Sequence, residues 1–187
     1  MITSLVVAVV AIAVVGYAVA MYNRLVRSRQ MAAEGWSGID VQLKRRSDLI
    51  PNLVEAVKGY AGHERATLEE VTELRKQAQT TPSDDVAGRA QVEGLLSGAI
   101  GRLLAIVENY PDLKASQNFL QLQASLASIE DEIQMARRYY NGATRELNVM
   151  VESFPSNLVA GMFGFSRGAF FETDEASRAV PEVSFQP

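Results

Sequence analysis

Leu122, Leu126, Ile129, Ile133, Ala136, Tyr140, Ala143, Leu147, Met150 and Phe154 follow one another at alternating spacings of four and three without a slip. A strand needs a period of two, so this stretch is barred from a sheet. A mean spacing of about 3.5 residues, held over more than four heptads, favours left-handed, coiled-coil-like knobs-into-holes packing. One helix of this kind runs to roughly 57 Å at about 1.5 Å per residue, and its apolar seam has to be covered along its length.

Two further seams supply the cover. Trp36, Ile39, Leu43, Arg46, Ile50, Leu53, Val57 and Tyr60 repeat the spacing, as do Val92, Leu96, Ala99, Leu103, Ile106 and Tyr110. Turn-forming residues gather only in "TTPSDD" (80–85) and "NYPDLKAS" (109–116), which leaves helical stretches over roughly 24–79, 86–108 and 117–154. The expected fold is all-α, an elongated antiparallel bundle of three helices, or four if the first stretch breaks near Gly59–Gly62. Residues 24–155 form the bundle domain, and 156–187 an apolar segment with a C-terminal tail.

Charge is distributed unevenly. Residues 1–23 hold no Asp, Glu, Lys or Arg, so the whole net charge of −4 belongs to the remainder. A hydrocarbon core of about 30 Å takes roughly 20 helical residues, and this opening run supplies them. Ala18-Val19-Ala20 has the look of a signal-peptide cleavage site. Against cleavage, no cationic side chain precedes the run, and the run exceeds the roughly 7–15 residues of a signal core. The expectation is a retained, single-pass transmembrane anchor with the lipid bilayer as its first partner. Arg24, Arg27 and Arg29 follow it closely, and the positive-inside rule places the domain on the cytoplasmic side.

Two residues of the first seam are out of character. Pro51 removes a backbone hydrogen bond and crowds the carbonyl of Ser47, so a kink or a fresh helix start is expected there, with Asp48 placed to cap the renewed helix. Arg46 falls on the seam among Ile39, Leu43, Ile50 and Leu53, where an unpaired charge is very unfavourable. Either its stem carries the guanidinium out to water or an acid from another helix meets it. Glu130 and Glu132, flanking the long seam, are the acids in question.

Residues suited to chemistry are sparse. There is no Cys, which removes disulfides, thiolate metal sites and cysteine nucleophiles. His63 is the one histidine; His63-Glu64 opens like H-E-x-x-H, but Thr67 stands where the second His belongs. Gly164-Phe165-Ser166-Arg167-Gly168 matches G-x-S-x-G, yet no strand leads into it and no histidine follows. No phosphate loop, cofactor motif or broad cationic face for nucleic acid is visible.

Three features could act by binding. Tyr110, Phe119, Tyr139 and Tyr140 read as core and loop packing rather than a ligand box. Gly94, Gly98 and Gly101 leave a flat strip, for close packing inside the bundle or for a subunit contact. The glycine-broken run holding Phe163 and Phe165 either folds back over the bundle or docks on a neighbouring subunit or lipid.

"GWSGIDVQLKRRSDLIPNLVEAVKGYAGHE", "IVENYPDLKASQNFLQLQ", "ARRYYNGATRELN" and "ESFPSNLVAGMFGF" occur in that order, and the chain closes on "VPEVSFQP". From Tyr22 to Phe185 the sequence thereby resembles the LemA family. The resemblance implies an N-terminal membrane segment, an antiparallel helical bundle, no established enzymatic activity, and work on membrane organisation or envelope quality control. Some relatives carry a lipidated cysteine just before the pair matching Tyr22-Asn23; here Ala20-Met21 precede it, leaving the apolar span as anchor. The expectation is a bacterial, non-enzymatic, membrane-anchored protein that self-associates as a scaffold or envelope-organising homo-oligomer. The alternative is a hydrolase built around His63, or a protease-associated adaptor acting through a partner membrane protein.

Overall fold

The computed structural model describes residues 1–61 and 63–172. Within them lie helices α1 (Ile2–Lys58), α2 (Arg65–Thr80), α3 (Val86–Val107), α4 (Pro111–Lys114), α5 (Gln117–Glu152) and α6 (Ser156–Met162), and no strand. The chain is all-α with a long apolar N-terminal helix, as the periodicity requires. Its residues fall into two compact units, and α1 and α5 each contribute to both.

Local chemistry sets the helix boundaries. α1 ends as Gly59 enters a turn, where the amides of Tyr60 and Ala61 bond back to the carbonyl of Val57. The long first stretch is therefore two helices. α3 starts at Asp85, whose side chain accepts from the Gly88 amide at 2.9 Å, satisfying one of the orphan donors of the first turn. Pro111 opens α4, at a position where a missing N–H costs nothing.

One correction concerns Pro51. No new helix begins there: α1 runs through it unbroken, and Asp48 is an exposed residue inside the helix rather than a cap. The reason is visible at Ser47. Its carbonyl, deprived of the N–H that residue 51 would have donated, accepts from Arg75 Nε of α2 at 2.7 Å. A partner from a neighbouring helix replaces the missing rung.

The first unit comprises residues 1–39 and 135–170. Ser28 Oγ reaches Met150 Sδ at 3.4 Å, and the Trp36 ring lies 5.6 Å from that of Tyr140, so α1 and α5 pair antiparallel here. They approach closely at buried Gly35, where a Cβ would stand 3.0 Å from the Tyr140 Cα and 3.0 Å from Tyr139 Cδ1. Leu25, Leu147, Met150, Val159, Ala160 and Phe165 form this unit's core. The run holding Phe165 thus folds back onto α1 and α5.

The second unit comprises residues 40–134 with 171–172 of the described chain. Its core joins Ile50, Leu53 and Val57 of α1 to Val71 of α2, Leu96 and Leu103 of α3, and Phe119 of α5. The α3 seam holds in its middle, where Leu96, Ala99 and Leu103 are buried, and shifts by one residue at its ends: Glu93 and Val107 are buried, whereas Val92 and Ile106 are half-buried. The glycine strip correspondingly misses the interior. Gly98 and Gly101 are exposed, and nothing lies within 4 Å of where a Gly101 Cβ would be.

Candidate functional site

Each unit holds one cluster of side chains that packing alone does not account for. In the second unit it is built around Arg46, which α1 carries inward on its seam and which is only 2 % exposed. Nη2 donates to Glu93 Oε2 at 2.6 Å and to the Glu93 carbonyl at 3.2 Å. Nη1 donates to Ser97 Oγ at 2.5 Å and to Glu130 Oε2 at 2.8 Å. The second Glu93 oxygen accepts from Arg89 Nε at 3.4 Å, and Arg89 Nη2 continues to Asp40 at 3.1 Å. Charges alternate along this chain, Asp40, Arg89, Glu93, Arg46, Glu130, so each buried charge has an opposite neighbour.

Glu130, expected as the partner, is present but lies at the rim with 41 % of its side chain exposed; Glu93, at 4 %, is the buried counter-ion. Glu132 is exposed. Sequence reasoning misses Glu93 because at the start of α3 the apolar Val92 offers itself for the seam in place of the acid beside it. The signal was available: Ala90, Glu93, Leu96, Ile100, Leu103 and Val107 continue the three-and-four spacing, with the acid on the seam as Arg46 is on its own.

In the first unit the cluster lies where the apolar run of α1 ends. Residues 2–17 of α1 are all exposed, among them Val10 and Ile12, and α1 contains an apolar window long enough to cross a membrane. α3 passes the same test of length and composition, but its buried residues belong to the core of the second unit. At the end of the run the Tyr22 ring meets Phe163 at 4.8 Å and Phe165 at 5.8 Å, both edge-on. Arg29 places its guanidinium 5.0 Å over the Phe165 ring. Phe165 is buried, while Phe163 is 55 % exposed. Gly164, between them, has φ 69°, a left-handed conformation that glycine adopts without strain.

The backbone after Phe165 is tied down by α5. Asn148, 5 % exposed, accepts from the Gly168 amide at 2.8 Å and donates to its carbonyl at 3.0 Å. Tyr140 donates its hydroxyl to the carbonyl of Ala169 at 2.7 Å. Burial pushes the Tyr140 hydroxyl above its ordinary value of 10.0, with the neighbouring Thr144 hydroxyl pulling the other way. Arg167 pairs at the surface with Glu152 at 2.9 Å.

The motifs that suggested hydrolysis do not assemble into a site. His63 is an exposed residue of the turn between α1 and α2. Ser166 is exposed in a non-helical segment, and no strand among the described residues leads into it, as a nucleophile elbow requires. Among the described residues no group of three or more His, Cys, Asp or Glu could hold a metal ion.

An all-α fold whose N-terminal helix is apolar, exposed in its first turns and long enough to cross a membrane is consistent with a membrane-associated helical protein. The family model described as the LemA family matches residues 35–185, and the chain belongs to that family. It is 28 % identical over 162 residues to Protein LemA of Metamycoplasma hominis, covering 87 % of this chain and 74 % of that one. It is 26 % identical over 179 residues to the magnetosome protein MamQ of Magnetospirillum gryphiswaldense, covering 83 % of this chain. MamQ 2 of Paramagnetospirillum magneticum is 25 % identical over 179 residues. The chain spans 66 % of the length of either magnetosome protein, just under two thirds.

Proposed function

We propose that the chain is a non-enzymatic membrane scaffold: α1 anchors it, the helical body stands on the cytoplasmic side, and copies associate laterally to organise the envelope membrane. The observation that carries this reading is the continuity of α1. The apolar run passes without a linker into the part of α1 that pairs with α5, so one continuous helix joins the anchor to the folded body of the first unit. A tethered enzyme needs only a flexible leash; a scaffold benefits from a fixed orientation on the bilayer. Arg24 and Arg27, exposed just after the run, support the cytoplasmic orientation. The exposed Leu95, Gly98 and Gly101 of α3 support self-association, as a flat face open to a second copy.

Sedimentation velocity of the detergent-extracted full chain tests the assembly. A discrete oligomer that Gly98→Arg dissociates is the expected result; a monomer at all concentrations overturns the scaffold. Protease protection in sealed vesicles tests the orientation, and cleavage only from the extracytoplasmic face reverses it.

A further inference from the structure

Around α6 the first unit exposes large apolar side chains on one side. Leu158 and Met162, four residues apart on the helix, are 61 % and 78 % exposed, and Phe154 in the preceding turn is 80 % exposed. The other side of α6 is satisfied, with Val159 and Ala160 buried beside Leu25, Leu147 and Met150. Residues 153–166 contain no Asp, Glu, Lys or Arg. A contiguous apolar surface of this kind, free of charge, marks a contact with something apolar.

The position of the patch identifies the occupant. The Phe163 ring, at the end of α6, is 4.8 Å from that of Tyr22, and Tyr22 precedes Arg24, the first charged residue of the chain. Tyr22 therefore stands where apolar helix gives way to cations, the depth at which aromatic residues collect at a membrane surface. Two rings in contact share that depth. A bilayer that surrounds α1 up to Tyr22 already reaches Phe163 and the exposed face leading to it. Arg24 and Arg27 are exposed beside it and complement anionic headgroups.

We propose that α6 is a second membrane contact, its Leu158, Met162 and Phe163 side immersed in the interfacial layer of the bilayer that α1 crosses. The helix lies on the membrane rather than through it, because seven residues are far too few to span. Two points of contact, α1 and α6, fix the rotation of the first unit about the α1 axis, which a lone span leaves free. The inference rests on the anchor reading of α1, so its test includes a separate reporter for that reading.

The chain has no native cysteine, so single-cysteine variants of the full chain take one probe each. Met162→Cys and Leu158→Cys report on α6, and Val10→Cys, exposed midway along the apolar run, reports on the span. Each carries an environment-sensitive fluorophore in phosphatidylcholine–phosphatidylglycerol vesicles whose acyl chains are brominated either near the headgroup or near the terminal methyl. The expected result is quenching of Val10 by deep bromines and quenching of Met162 and Leu158, by about two-fold or more, by shallow bromines. Quenching at Val10 without quenching at Met162 and Leu158 overturns the α6 contact and leaves the anchor standing. No quenching at any of the three overturns both. Disulfide dimers of unlabelled Met162→Cys, together with no quenching of the labelled variant by either bromine, assign the patch to a second copy and overturn the proposal.

Discussion

The hydrogen bond from Arg75 to the Ser47 carbonyl predicts a specific thermodynamic coupling. Ser47 is 8 % exposed, and its carbonyl lost its intrahelical donor to Pro51, so Arg75 Nε at 2.7 Å is the partner that replaces it. A charged donor on a buried acceptor is worth roughly 1.5–3 kcal/mol, and an orphaned acceptor costs roughly 1–3 kcal/mol. Arg75→Ala in the native chain should therefore cost about 2 kcal/mol, a fall in Tm of roughly 4–8 °C for a chain of this size. With Pro51→Ala in place, residue 51 again has an N–H that can reach Ser47. Arg75→Ala should then cost below about 1 kcal/mol, a coupling of about 1–2 kcal/mol between two residues 24 positions apart (75 − 51). Pro51→Ala alone should not destabilise, since alanine is better by about 3 kcal/mol in a helix interior and loses only about 0.4–1 kcal/mol through the freer unfolded chain. Urea and thermal unfolding of the four proteins in detergent, followed by helical circular dichroism, measures the cycle. Equal costs of Arg75→Ala in both backgrounds would refute the argument and reduce Arg75 to ordinary packing.

The buried charge cluster should respond asymmetrically in the same unfolding assay. Arg46→Ala, which strands Glu93, should cost about 3–5 kcal/mol, whereas Glu130→Ala, at the exposed rim, should cost about 1 kcal/mol or less. Asn148→Ala removes both partners of Gly168 and should cost about 2 kcal/mol, read by hydrogen exchange as faster exchange at Gly168 while the α5 amides stay protected. Tyr140 gives a pH signature: its folded value lies above 10.0, so its contribution is complete below pH 10 and is lost as pH rises through the folded value. Unfolding from pH 8 to 11 should show that alkaline loss in the native chain and a smaller one in Tyr140→Phe.

Much of this architecture was readable from spacing. The α5 seam is buried at Leu126, Ile133, Tyr140, Ala143, Leu147 and Met150, half-buried at Leu122, Ile129 and Ala136, and exposed at Phe154, beyond the helix end, where 80 % of the side chain is exposed. The α1 seam likewise holds from Ile39 to Val57. α3 was harder for a physical reason. Apolar residues crowd nearly all its faces, including Val92, Leu95, Leu96, Ile100, Leu104 and Ile106, so two phases of the same period fit almost equally and the acid on the true seam went unread. Of the two uses expected for the strip Gly94, Gly98 and Gly101, close packing inside the bundle does not occur at exposed Gly98 and Gly101, whereas Gly35 does make such an approach, because a glycine shows its purpose only when the facing helix is known. The anchoring of Gly168 by Asn148 involves residues 20 apart on no common periodicity, and nothing local announces it.

Three residues in one short stretch of α1, Arg46, Ser47 and Pro51, explain one another. Arg46 points its guanidinium at Glu93 and Ser97 of α3 and at Glu130 of α5. The next residue, Ser47, holds α2 through its carbonyl with Arg75 and through its hydroxyl with Gln79 at 2.9 Å. Pro51 is what makes that carbonyl available. One turn of α1 is thus joined by polar, directional contacts to each of the three other long helices of the second unit. Apolar seams with a repeat of about 3.5 residues tolerate a slip by one heptad, because one layer of Leu and Ile resembles the next. A slip of α3 along α1 would carry Glu93 away from Arg46, and a slip of α2 would orphan Ser47, each leaving a buried charge or carbonyl unpaired. The proline therefore serves register: it gives up one intrahelical bond so that a neighbour can be held at a single position.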